Sequence, residues 1–124
     1  MLMIGGNLKG KRLANFIVKI IDEKKGRDIS LLDVRGITTL TDFFIVCTAD
    51  VSEHARAIAE EIRIRLKHKG NFLYSEEGEK TGEWIAMDYG DVIVHIMLQD
   101  KREFYDIERI WQRVEPKIKE KRQE

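Results

Sequence analysis

The chain has 124 residues, of which 43% are hydrophobic and 35% charged, and its 22 basic and 22 acidic side chains leave a formal net charge of zero. That length suits one domain around one core, and the longest apolar run, Phe43-Phe44-Ile45-Val46-Cys47, falls far short of the roughly 18 residues a membrane span needs. The charge balance argues against a grip on nucleic acid made chiefly by phosphate neutralisation, although a neutral total can hide two opposed faces.

Leu13, Phe16, Ile17, Ile20 and Ile21 recur at three- and four-residue steps, which predicts a first helix over residues 8 to 25. Gly26 offers the left-handed residue that commonly closes a helix. Ile29 to Val34 reads as a short strand, residues 35 to 42 as a polar loop, and Phe43 to Ala49 as a buried strand rich in β-branched and aromatic residues. Ser52 is a good N-cap for a second helix with Ala55, Ile58, Ala59, Ile62 and Leu66 on its inner face, stopped by Gly70. Phe72-Leu73-Tyr74 predicts a short strand and residues 76 to 82 a solvated loop. Trp84 to Tyr89 and Val92 to Leu98, parted by Gly90, predict an antiparallel hairpin. A last helix is expected from about 101 to 114 with Phe104, Ile107, Trp111 and Val114 inward, followed by a charged tail over 115 to 124 after Pro116. The order is α-β-β-α-β-β-β-α, an α/β sandwich around a five-stranded mixed sheet. There is no internal repeat and no linker, so residues 1–124 read as one domain with its core over about 8–114.

The catalytic inventory is thin. Neither a Gly-x-x-x-x-Gly-Lys-Ser/Thr phosphate loop nor a Gly-x-Gly-x-x-Gly fingerprint occurs. His54, His68 and His95 lie on different elements and lack the partners of a structural zinc site. Cys47, the sole cysteine, allows no internal disulfide, which fits a reducing compartment, and in so apolar a strand it should behave as a small hydrophobe with a raised pKa. The opening Met1 to Gly6 is too brief in its apolar stretch for a secretory signal. Asp88, Asp91 and His95 form the best remaining constellation. Two carboxylates near a turn could hold a Mg²⁺, yet aspartates beside Gly90 are also ordinary turn formers. His95, alternating with Ile93 and Met97, reads as a partly buried, hydrogen-bonded strand residue.

The stretch Glu83-Trp84-Ile85-Ala86-Met87-Asp88-Tyr89-Gly90-Asp91-Val92, continued to Met97 and followed by Arg102 to Trp111, resembles the signature of the RsfS/Iojap family of ribosomal silencing factors. Leu32-Asp33-Val34, Thr41 to Thr48 and Glu77-Gly78 resemble it too, so the likeness covers about residues 8 to 112. The resemblance implies a nucleotidyltransferase-like fold without catalytic residues, no cofactor or metal, and no small-molecule substrate. It implies a cytoplasmic protein, homodimeric when free, that binds the large ribosomal subunit through its fourteenth large-subunit protein. By occluding the intersubunit face, such a protein represses translation under nutrient limitation. The partner-binding residues expected are Trp84, Asp88, Tyr89, Asp91, Tyr105, Glu108 and Arg109, with aromatic anchors inside an acidic rim suited to a basic ribosomal protein. Glu108 and Arg109 are expected on the side of the helix that carries Tyr105. A minor contact with ribosomal RNA is left open. The rival reading is a minimal metal-dependent nucleotidyltransferase using Asp88 and Asp91, although no Gly-Ser dipeptide occurs anywhere in the chain.

Overall fold

The structure is a computed structural model that describes residues 7–112. Helix α1, Gly10–Glu23, buries Leu13, Ala14, Ile17, Ile20 and Ile21; of the predicted stripe only Phe16 is no more than partly buried, and Ala14 joins the buried face. Its end differs in detail from the expectation. The left-handed residue is Lys25 (φ 69°), not Gly26, and the Gly26 amide bonds back to the Ile21 carbonyl at 2.8 Å. Glycine is needed at 26 for closeness instead: a Cβ there would lie 2.3 Å from Ile21 Cγ2.

Strand β1, Arg27–Asp33, runs antiparallel to β2, Phe43–Ala49. Every residue of β2 is buried, which places it near the sheet centre. Helix α2, Ser52–His68, buries Ala55, Ile58, Ala59, Ile62 and Leu66. Ser52 is its first helical residue and not its cap; Val51 takes the extended capping geometry, and no side chain caps the helix start. At the other end the Gly70 and Asn71 amides return to the Lys67 and Leu66 carbonyls.

Strand β3 is Ser75–Glu77, a correction to the expected strand at 72–74 and loop from 76. Tyr74 contributes one bond to the Asp88 carbonyl (2.8 Å), but regular pairing begins at Ser75 opposite Asp88. A charged residue disguised the strand: Glu76 faces inward, where Arg63 meets it at 3.3 Å. Strands β4, Trp84–Asp88, and β5, Val92–Leu98, form the expected hairpin, closed by the Tyr89 amide on the Val92 carbonyl (2.9 Å). The sheet order is β1-β2-β5-β4-β3, with β2 and β5 parallel and all other neighbours antiparallel.

Strand alternation divides the sheet into two faces. Phe43, Ile45 and Cys47 of β2, Val94 and Ile96 of β5, and Ile85 and Met87 of β4 join α1 and α2 in the main core. Phe44, Val46 and Thr48, with Ile93, His95 and Met97 and with Trp84, Ala86 and Asp88, make the opposite face. There the expected single last helix is two: α3, Gln99–Tyr105, and α4, Ile107–Gln112, broken at Asp106, which takes a left-handed φ of 46°. Phe104, expected inside, is 78% exposed, while Trp111 lies on Phe44 with ring centroids 4.9 Å apart. Val114 and the charged tail lie outside the described residues.

Candidate functional site

The face under α3 and α4 carries a continuous run of rings. Phe104 meets Tyr105 edge-on at 4.9 Å, and Tyr105 meets Trp84 at 4.9 Å. Trp84 adjoins His95 at 5.9 Å, His95 adjoins Phe44 at 5.6 Å, and Trp111 closes the run on Phe44. Its outer end is in solvent, where Tyr105 is 47% exposed; Ile110 of α4 is exposed too. Offset and edge-on pairs of this kind add about 0.5–1.5 kcal/mol each beyond the area they bury.

Two polar contacts fix the run. The Trp84 indole Nε1–H donates to His95 Nδ1 at 3.0 Å. An indole nitrogen only donates, so that imidazole nitrogen must carry a lone pair, and the proton of neutral His95 sits on Nε2. Burial pushes the His95 pKa down to about 4, which keeps it in this form at neutral pH.

The second contact is Arg102 of α3, whose side chain is 12% exposed. Its Nη1 donates to Thr48 Oγ1 (2.8 Å), its Nη2 to Ser30 Oγ (3.2 Å), and Nε and Nη2 together grip the Glu108 carboxylate at 3.0 Å each. Residues six apart on one continuous helix point to different sides, so this pair exists only because the helix breaks at Asp106. Burial pushes the Glu108 carboxyl up, but the hydrogen bonds from Arg102 and Ser30 outweigh it and leave the pKa below the usual glutamate value. Sequence reasoning missed the Arg102 clasp. In the Arg102-x-x-Tyr105-x-x-Glu108 spacing, residues three apart are neighbours on a straight helix but Arg102 and Glu108 are not, so local pattern alone gave no sign of their pairing.

Of the predicted site residues, Trp84 and Tyr105 are brought together. Glu108 turns inward to Arg102, while the exposed Arg109 pairs at 3.1 Å with Asp106, the residue that follows Tyr105. Asp88 ends β4 and Tyr89 and Asp91 follow it, at least about 13 Å along the strand from Trp84. There they build the turn: Asp88 Oδ1 accepts the Gly90 amide (2.8 Å) and Asp91 Oδ2 accepts the Gly10 amide (2.9 Å). Tyr89 is a core residue, its hydroxyl pushed up to about 12 by burial and by the charge of Glu76. The acidic rim expected around the aromatic anchors is therefore not assembled from these residues. Among the described residues, no group of three or more His, Cys, Asp or Glu side chains could hold a metal ion.

Gly78 sets the approach to Trp84. At φ 88° its Cα lies so close to the chain that a Cβ would sit 1.8 Å from the Trp84 carbonyl oxygen, so only glycine fits.

Fold and site together define a small α/β domain with an aromatic, partly exposed sheet face clasped by a broken helix. Residues 8–124 match the family described as "Ribosomal silencing factor during starvation" (RsfS). The ribosomal silencing factor RsfS of Haemophilus influenzae is 40% identical over 99 residues, covering 80% of this chain and 97% of that protein. A crystal structure of a Chromobacterium violaceum protein superposes with a TM-score of 0.82 at 34% identity, covering 85% of this chain and 88% of that one. A mouse protein named "Mitochondrial assembly of ribosomal large subunit protein 1" is 25% identical over 100 residues, 78% of this chain and 44% of its own length. The chain belongs to the RsfS family of ribosomal silencing factors.

Proposed function

We propose that this protein binds the large ribosomal subunit through the face centred on Trp84 and Tyr105, docks on the fourteenth large-subunit protein, and prevents the small subunit from joining. The observation that carries the reading is the ring run from buried Phe44 to exposed Phe104, held in place by neutral His95 and by Arg102. Tyr and Trp placed on a rigid support make strong anchors because they bury much area while losing little rotamer freedom. Family membership supports a ribosomal partner, and the name of the mouse relative supports the large subunit in particular.

The mechanism is steric. A standard interface of about 1,600 Å² suffices to persist while the small subunit tries to dock, and no bond need be made or broken. Arg109 and Asp106, paired and exposed beside Tyr105, supply the polar border on one side; Lys101 and Glu83, 3.4 Å apart, supply it on another. In the unbound protein a second copy covers the exposed Phe104 and Ile110, giving a homodimer, and the setting is the cytoplasm. The enzyme alternative through Asp88 and Asp91 gains no support, because each carboxylate already accepts a backbone amide of its own chain.

Gradient sedimentation tests this directly. Saturating protein should shift mixed subunits from joined to separate peaks, and Trp84→Ala or Tyr105→Ala should abolish that shift with unchanged circular dichroism. Unimpaired joining with the parent protein present, or parent-like behaviour of both variants, would refute the assignment.

A further inference from the structure

Beyond the opposite end of β4 from Trp84 lies a feature that ribosomal docking through the aromatic face does not use. Residues 7–9, the turn after α2 and the Tyr89–Asp91 turn enclose an open cleft of about 370 Å³. Its walls are fixed by side chains. Asn71 clamps both main-chain groups of Leu8, accepting from its amide at 3.0 Å and donating to its carbonyl at 2.9 Å. Asp91, which lines the cleft, accepts the Gly10 amide.

Phe72 and Tyr74 line this cleft, 68% and 64% exposed, edge to face with centroids 4.9 Å apart. The Tyr74 ring lies over Gly90, where a Cβ would approach it to 3.0 Å, so its orientation is set by backbone. Lys9 lines the same cleft and shares a smaller adjoining hollow with Arg12. Lys69, next to Gly70 of the cleft wall, stands 5.4 Å from the centroid of Phe16. Among the described residues, none of Lys9, Arg12 and Lys69 makes an ion pair. The one carboxylate lining the cleft, Asp91, is engaged by Gly10.

Exposed rings beside cations that make no ion pair among the described residues match the chemistry of an unstacked base with its phosphates, with Lys69 held on Phe16 at the cleft edge: the rings take the base and the cations the backbone. An acidic peptide would leave the rings idle, and an apolar one would leave the cations idle. We propose that this cleft binds an unpaired RNA segment, with one base stacked on the Phe72–Tyr74 pair and flanking phosphates at Lys9, Arg12 and Lys69. The choice of RNA over DNA rests on the ribosomal reading above. The zero net charge of the chain conceals this cationic corner.

The test uses the full chain and a labelled single-stranded RNA of about eight nucleotides and mixed sequence, followed by fluorescence anisotropy, with a duplex of the same sequence alongside. Binding is expected at about 1–100 µM in about 50 mM salt. With about three phosphates engaged, raising the salt sixfold should weaken it roughly 40-fold. Phe72→Ala/Tyr74→Ala should weaken binding about tenfold or more, Lys9→Glu/Arg12→Glu should abolish it, and Trp84→Ala should leave it within about twofold. No binding at about 200 µM, parent-like binding by the Phe72/Tyr74 variant, or equal affinity for the duplex would each overturn the proposal. So would displacement of the label by an uncharged apolar peptide and not by unlabelled RNA. Loss of this site would leave the Trp84–Tyr105 face untouched, since that face is read by subunit sedimentation.

Discussion

The Arg102 clasp makes a quantitative prediction. Replacing Arg102 with Met keeps most of the aliphatic bulk and removes the charge. Glu108, whose side chain is 18% exposed, is then left with an unpaired carboxylate, while Thr48 and Ser30 lose a donor. Breaking one side of a fully buried pair costs about 3–5 kcal/mol. Glu108 retains some access to water, so about 2–3 kcal/mol is expected, equivalent to about 10 °C in melting temperature for a domain of this size. The double variant Arg102→Met/Glu108→Leu removes the orphaned charge as well and should recover most of the loss. Urea melts of parent, single and double variants measure all three. Hydrogen exchange at the Asp106 amide, which donates to the Arg102 carbonyl at 2.9 Å, shows whether the loss is confined to α3 and α4. A single variant within about 0.5 kcal/mol of the parent, or a double variant no better than the single, would refute the idea that a desolvated ion pair seats this helix.

Three further outcomes follow from other contacts. His95 has a folded pKa of about 4 against about 6.5 for a free histidine, so the unfolded chain takes up the proton first. Stability should be whole above about pH 6.5 and fall by up to about 3 kcal/mol on the way to pH 4, with a further loss lower still as Glu108 protonates through its depressed value. His95→Gln retains an acceptor for Trp84 and should flatten the first of these steps in melts across pH. Gly78→Ala must move the Trp84 carbonyl and should cost about 2–4 kcal/mol in denaturant melts, whereas a neutral result would mean the loop sits elsewhere. Cys47 is buried and its thiol is pushed up to about 12 by burial, against a weaker opposing pull from Arg102. It should therefore resist a thiol reagent at pH 8 in the native state and react fully in denaturant.

Much of the architecture is legible in local pattern. The stripes of α1 and α2 follow a single face, and β2 announces itself by five consecutive apolar residues. Element order as far as β5 and the β4–β5 hairpin follow from the same signals. What stayed hidden depends on partners distant in sequence. Glu76 reads as loop because its partner, Arg63, lies on α2. Tyr89 reads as a turn aromatic open to a partner, but it is buried in the main core. The break at Asp106 involves neither Gly nor Pro; aspartate tolerates a left-handed φ better than most residues, and the Arg102–Glu108 pair rewards it. For the site, the sequence brought out Trp84 and Tyr105 as aromatics. It did not bring out His95 and Arg102 as the groups that hold them, because both act through contacts across the sheet.

The unequal covering of the sheet bears on how this surface can change over time. Helices α1 and α2 supply cohesion on one side, while α3 and α4 rest on the other largely through one guanidinium clasp and two ring contacts, Tyr105 on Trp84 and Trp111 on Phe44. Residues such as Phe104, Tyr105 and Ile110 can then be exchanged with little penalty to foldedness, so selection is free to retune which surface this domain grips without rebuilding the domain itself.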